Sequence, residues 1–344
     1  MGAFSYVYAG LGNPLLSFRL AQSWDGSGPL LGRRAPPVVD TLFMREQERG
    51  ATVTSTVLLR RYRVFGAFSV GVGVVQEDAE LLDRDLHVTS AYNLATPSSR
   101  FADLSATASL SSARDHSLSI SEEDGAAVVL QGRIRRELSA SDSLKGVSGA
   151  ERSYRQVISR SRFYQSLRGL GRVRHVIAVR GSVGAASGPG ADRFHFRVGG
   201  AGGALESVTG LGLFGGSSFL FPVRGYQNGE RAGRVAWSAT VEYRFPIARV
   251  NRGLGLFPIH LEEVSGDLFA DAGNAWGPEF GEAEPRSQNP ARSGMASVGA
   301  ELTANLLAMF SSVLPIRLGV ALPLVEDGGR GKSPVFYLRL GSSF

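Results

Sequence analysis

Val313-Leu314-Pro315-Ile316-Arg317-Leu318-Gly319-Val320-Ala321-Leu322-Pro323-Leu324 decides the fold. From Leu314 to Leu324 every second residue is a large aliphatic. The residues between them are Pro315, Arg317, Gly319, Ala321 and Pro323. A period of two marks a β-strand with two unlike faces. The closing segment behaves the same way. Phe336, Leu338, Leu340 and Phe344 share one face with Ser342, and Tyr337, Arg339, Gly341 and Ser343 form the other. Upstream, Trp237, Ala239, Val241, Tyr243 and Phe245 alternate with Ser238, Thr240, Glu242 and Arg244. Helix signals are nearly absent. The run Met295–Phe310 admits a helix, but Gly299 and its place between strand-like segments favour a strand.

Carried along the chain, this period yields about fourteen strand candidates, at residues 3–10, 14–24, 37–47, 50–61, 64–77, 100–115, 126–139, 152–166, 172–186, 235–247, 259–272, 294–309, 313–324 and 333–344. Short connections follow Arg61, Tyr164 and Ser311. Long ones cover Gln76 to Arg100, Ser139 to Arg152, Ser187 to Arg234 and Gly273 to Ser293. Short turns alternating with long loops is the pattern of outer-membrane barrels. A soluble sandwich also alternates, but its strands are usually about five or six residues long. Several segments here reach the nine to eleven or so that a tilted membrane-crossing strand needs. The less apolar face is rich in Gly, Ser and Arg, which suits a wet lumen. The fold class is therefore all-β, a transmembrane antiparallel β-barrel, with residues 1–344 as one domain.

Composition narrows the chemistry. The chain has 344 residues, 44 Gly, no Cys and a net charge of +6. The absence of Cys excludes disulfide scaffolds, zinc–thiolate sites, iron–sulfur clusters and Cys nucleophiles. No apolar run approaches the eighteen or so residues of a transmembrane helix. The basic excess is almost all Arg and is scattered through strand-like segments, so no nucleic-acid surface is read from it. The five histidines, His87, His116, His175, His195 and His260, show no metal-ligand spacing. No serine-hydrolase elbow is present. The run Gly210–Gly216 lacks the strand–loop–helix context of a phosphate cradle. Glu122, Glu123 and Asp124 read as a solvated periplasmic turn. Glu77, Asp78 and the Asp83–Asp85 region read as an extracellular loop. No catalytic residue, metal or cofactor is expected.

The connection from Ser187 to Arg234 is too long for an idle hairpin loop. It carries Phe196-Arg197-Val198-Gly199-Gly200 and then Phe221-Pro222-Val223-Arg224-Gly225-Tyr226. The strand after it ends in Glu242-Tyr243-Arg244-Phe245-Pro246, and the next one in Phe269-Ala270-Asp271-Ala272-Gly273-Asn274-Ala275-Trp276. This ordered set (V-R-G-Y, E-x-R-x-P, F-x-D-x-G and a C-terminal Phe) resembles the BamA/TamA/FhaC superfamily of outer-membrane barrels, also called bacterial surface antigens. The matching part covers about Phe196 to Phe344; the N-terminal half agrees in rhythm.

The resemblance implies a sixteen-stranded barrel whose sixth extracellular loop folds back into the lumen. Glu242 and Asp271 sit on the non-lipid face of adjacent strands, and a guanidinium fork suits two carboxylates. Val223, Arg224, Gly225 and Tyr226 are the expected loop pin. Glu242, Arg244, Phe269, Asp271 and Gly273 are the expected wall partners, and Phe344 is the expected terminal anchor. On the residues alone a second arrangement stays open, in which Arg224 is a solvated loop charge and Glu242 pairs with Arg244. In the family the position of Arg339 is usually Gly and that of Ser342 apolar, so the terminal strand departs from the pattern.

Counting back from Phe344 makes the first segment roughly the third of sixteen strands. Met1 to Gly10 alternates like a strand and carries no signal peptide. The expectation is an N-terminally truncated barrel, in preference to a smaller barrel of about fourteen strands, with no POTRA or other periplasmic module in the chain. The resemblance implies a role in outer-membrane protein insertion or polypeptide translocation. Its implied partners are outer-membrane lipids and lipopolysaccharide, unfolded outer-membrane or secreted clients, and accessory lipoproteins. The alternatives are a passive pore or structural barrel, or the membrane anchor of a fused periplasmic propeller or hydrolase.

Overall fold

The computed structural model describes residues 2–34, 38–82, 98–115, 119–140, 152–167, 175–190, 196–201, 220–253, 259–277, 294–308, 312–325 and 333–340. No α-helix occurs among them. The strands of the wall are β1 (Gly2–Tyr8), β2 (Leu15–Arg34), β3 (Val38–Arg61), β4 (Val64–Leu82), β5 (Ser98–Ser111), β6 (Gly125–Ala140), β7 (Tyr154–Leu167) and β8 (His175–Ser187). Three short strands follow in the long connection, β9 (Phe196–Val198), β10 (Leu220–Phe221) and β11 (Arg231–Gly233). The wall resumes with β12 (Val235–Gly253), β13 (Ile259–Trp276), β14 (Met295–Ala308), β15 (Ser312–Pro323) and β16 (Val335–Leu340). The wall is one sheet of thirteen described strands in chain order, β8 pairing with β12, and β1 and β16 stand at its two ends. Every adjacent pair in it is antiparallel.

The alternation read from the sequence sorts the two faces, and it sorts them opposite to a soluble protein. Leu268 and Leu318 are 53% and 56% exposed, whereas their inward neighbours Asp267 and Glu301 are 5% and 4% exposed. Aliphatic side chains outside and charges inside suit a sheet whose outer solvent is hydrocarbon. In that solvent each backbone N–H and C=O needs an internal partner, and long antiparallel ladders supply them.

Segments 37–47 and 50–61 are a single strand, β3. Glu48 and Arg49, which stand between the two segments, are paired on both sides. Glu48 lies opposite Ser23 of β2 and Glu77 of β4, and Gly50 opposite Ala21 and Val75. On a wall with a wet inner face, charged residues at every second place are compatible with a continuous strand. The described residues just before β6 also differ from a solvated turn. Glu123 is buried and accepts from Ser119 Oγ at 2.7 Å. Asp124 accepts from the backbone N of Ser166 at 3.1 Å and from its Oγ at 2.9 Å, which holds the end of β7 beyond Tyr164.

The largest apolar cluster lies between the long connection and the inner wall. Phe196, Val198, Phe221, Val223 and Tyr226 pack with Tyr154, Ile158, Ala186, Ala236, Ala275 and Met295. The rings of Phe196 and Phe221 meet edge-on at 5.5 Å between centroids. The wall partners come from β7, β8, β12, β13 and β14, so the sheet curves around the loop and places it in the lumen.

Candidate functional site

The loop segment Phe221–Tyr226 is guided by shape before charge. Val223 is fully buried. A β-carbon on Gly273 would stand 2.7 Å from Val223 Cγ2 and 3.1 Å from Val198 Cγ1, so the bare backbone of Gly273 makes the seat. Gly225 has φ of +91°, a conformation costly for side-chain-bearing residues, and a β-carbon there would lie 3.1 Å from Ala321 Cβ. The turn therefore lets the loop backbone approach β15 closely.

Arg224 is 1% exposed. Its backbone N and its Nε donate to Asp271 Oδ2 at 3.0 and 2.7 Å, and its Nη2 donates to Asp271 Oδ1 at 2.8 Å. This is the two-pronged geometry that distinguishes arginine from lysine. Nη2 also lies 2.9 Å from Glu242 Oε1. The guanidinium carbon stands 3.5 Å from the centroid of the Phe269 ring, a cation–π stack in a site closed to solvent. Nη1 points between Asp267 Oδ1 at 3.9 Å and Glu301 Oε2 at 3.7 Å, within ion-pair reach and without a hydrogen bond.

Glu242 also accepts from Arg244 Nε at 2.9 Å and Nη2 at 2.6 Å. Of the arrangements open in the sequence, the Glu242–Arg244 pair and the Arg224–carboxylate contacts coexist, and Arg224 is not solvated. Tyr226 Oη lies 2.9 Å from the carbonyl oxygens of both Ala296 and Val325 and accepts from Ala296 N at 3.3 Å. Arg231 Nη1 adds a bond of 2.7 Å to Asn274 Oδ1. The contacts of the loop with the wall thus include the Arg224 fork, the Tyr226 hydroxyl, the Arg231–Asn274 bond and an apolar plug.

Phe344 lies outside the described residues, as do Gly210–Gly216 and Asp83–Asp85. Sequence reading missed Asp267, Glu301, Tyr337 and Arg339. Their parity was available: Asp267 is four residues before Asp271 on the same strand, hence on the same face. Their meeting depends on strand register, which places Asp267 opposite Glu301 and Arg317 opposite Arg339. Glu77 and Asp78 belong to β4. Glu77 pairs with Arg135 and, at 3.0 Å, with Arg152; Asp78 accepts from Ser98 Oγ at 2.6 Å. Among the described residues no group of three or more His, Asp or Glu is arranged to hold a metal ion.

Comparison with known proteins bears on the fold. The structure is similar to BamA from Haemophilus ducreyi lacking POTRA domains 1–3, with a TM-score of 0.54 at 13% identity, covering 98% of this chain and 61% of that one. It is also similar to CdiB from Acinetobacter baumannii, with a TM-score of 0.51 at 12% identity, covering 94% and 46%. At those identities the likeness is one of fold, and the chain spans less than two thirds of either relative. No curated protein matches it by sequence. The model of the Omp85 superfamily domain matches residues 40–344. The chain belongs to the Omp85 superfamily, and it is a bacterial outer-membrane β-barrel.

Proposed function

We propose that this barrel takes part in inserting outer-membrane proteins or in translocating polypeptide across the outer membrane. In this reading Val223, Arg224, Gly225 and Tyr226 pin the long loop inside the lumen. Glu242, Arg244, Phe269, Asp271 and Gly273 form its seat, and Phe344 anchors the terminal strand. The observation that carries the reading is the burial of a loop arginine in a double fork on a wall aspartate. An aspartate left enclosed without the cation that forks onto it is costly, so Asp271 and the loop stabilise each other when the loop is seated. The partners are unfolded client polypeptides, with outer-membrane lipid and lipopolysaccharide around the wall and accessory lipoproteins as assembly partners.

The test is reconstitution of the full-length protein in lipid vesicles with a urea-unfolded outer-membrane client. Arg224→Ala is expected to lower client insertion or translocation severalfold and to make the loop cleavable by trypsin. Wild-type transport together with a protease-resistant loop would overturn the pin. A second reading, a passive pore with the loop as plug, draws on the apolar cluster that the loop forms in the lumen. Planar-bilayer conductance that rises on loop deletion, with no client defect, would favour the pore.

A further inference from the structure

Arg339 stands on β16 and is buried. Its Nη2 donates to both carboxylate oxygens of Glu301 on β14, each at 2.6 Å. Its Nη1 donates to the carbonyl oxygen of Ala201 at 2.7 Å. Ala201 lies just beyond β9, in the first leg of the lumen loop; Arg224 lies in the second leg. Glu301 has a fully buried side chain and also accepts from Arg317 Nη1 at 3.1 Å and Tyr337 Oη at 2.9 Å. Arg224 Nη1 stands 3.7 Å from its Oε2.

We propose that Arg339 is a positioning residue that ties β16 to the first leg of the loop directly, at Ala201, and to the second leg through Glu301, so that unseating the loop and loosening β16 are coupled events. The proposal rests on the loop-pin reading for its functional meaning, but not for its test.

Three observations carry it. First, Arg317 and Arg339 are direct cross-strand partners. Like charges in that position repel, and Glu301 is the carboxylate bonded to both. A change in the charge balance at Glu301 is therefore felt in the β15–β16 ladder. Second, among the described residues that ladder joins six residue pairs, Ile316↔Leu340 to Ala321↔Val335, and the buried Arg339–Glu301 bonds carry the hold of β16 across β15 to β14. Third, the wall is shaped for the link. A β-carbon on Gly319 would stand 2.3 Å from Tyr337 Cζ. The bare backbone of Gly319 lets the Tyr337 ring lie across β15 and bring its hydroxyl to Glu301.

Coupling between two segments is reciprocal in free energy. The experiment is amide hydrogen exchange of the full chain in lipid nanodiscs, read on residues 335–340 and on the loop segments 196–201 and 220–226. Arg224→Ala is expected to speed exchange in 335–340 by at least about fivefold, the lower end of ordinary coupling factors. Arg339→Gln is expected to speed exchange in both loop segments by a similar factor. The double variant should add less than the product of the two.

Arg135→Gln, in the cluster on β3–β6 that reaches the first leg of the loop only by way of Tyr154, should leave 335–340 and 220–226 unchanged. If Arg339→Gln does not fold, Arg339→Lys, which keeps the charge and loses the fork, and Tyr337→Phe take its place with the same expected direction. The proposal is overturned if each variant loosens only its own segment, or if Arg135→Gln loosens β16 equally. Coupled exchange with normal client transport would sink the transport reading and leave the link standing. Impaired transport with uncoupled exchange would do the reverse.

Discussion

Two buried ion clusters in this barrel use nearly the same chemistry to different ends. In one, Arg135 of β6 donates from Nε and Nη2 to Asp103 of β5 at 2.8 and 2.9 Å, pairs with Glu77, and lies 3.5 Å from Glu48 of β3. Its guanidinium carbon stands 4.9 Å from the Phe101 ring centroid. In the other, Arg224 forks onto Asp271, reaches Glu242 and stacks on Phe269. Each is an arginine on an aspartate fork, with further carboxylates and a phenylalanine face. The difference is where the arginine is attached. Arg135 grows from the wall itself, so its bonds add to strands that a backbone ladder already joins. Arg224 grows from a loop, so its bonds are among the contacts that decide where the loop sits. The same interaction therefore acts as a brace in one place and as a latch in the other.

The comparison is broken most directly at its latch. Arg224→Ala leaves Asp271 and Glu242 enclosed without this cation, a change expected to cost about 3–5 kcal/mol. Denaturant unfolding in detergent measures it, with trypsin cleavage in the loop as the local readout. Full stability and a protected loop would contradict the latch. Arg135→Gln should cost less, about 1.5–3 kcal/mol from lost charge-assisted bonds, because Arg133 and Arg152 still face Asp103 and Glu77. Its distinguishing outcome is a less stable barrel whose loop stays resistant to trypsin.

Gly225→Ala sharpens the contrast without touching charge. Its φ of +91° and the 3.1 Å approach to Ala321 Cβ place the penalty at about 1–3 kcal/mol. It should appear as loop release measured by hydrogen exchange over 220–226, with β6 unchanged. Tyr226→Phe removes one hydroxyl that bridges the loop to β14 and the end of β15, for about 0.5–1.5 kcal/mol. A shift in unfolding midpoint much larger than that would mean that the ring, and not the hydroxyl, does the holding.

How far the sequence could be read varied by region for physical reasons. The strands β12, β15 and β16 were legible because one face of each must be apolar to meet lipid, and a period of two is visible without knowing any neighbour. The long connection was legible in extent, from Ser187 to Arg234, because its length exceeds any hairpin turn. The continuity of β3 through Glu48 and Arg49 was not. Two charged residues read as a break when the reference solvent is water, and here Glu48 lies on the inner face beside Arg135 and both residues have ladder partners on both sides. The turn at Glu123 and Asp124 was misread for the same reason: acidic residues at a chain reversal look solvated until the neighbouring strand end is known.

The division within the lumen site follows the same line. Alternation alone determined which residues face inward, so the parity of Glu242, Asp267, Asp271, Glu301, Arg317 and Arg339 was present in the chain. Resemblance in motif, not periodicity, singled out Arg224. Only the tertiary structure decided which of the inward charges meet. Contacts between strands depend on register across the sheet, and contacts from the loop depend on how deep it sits. Glu301 joins β14, β15, β16 and the loop because the ladders bring Gly319, Arg317 and Tyr337 alongside it and a glycine leaves room for the ring. A sequence carries the face of each residue as a local property of the strand; the partner of a buried charge is a property of the sheet and loop around it.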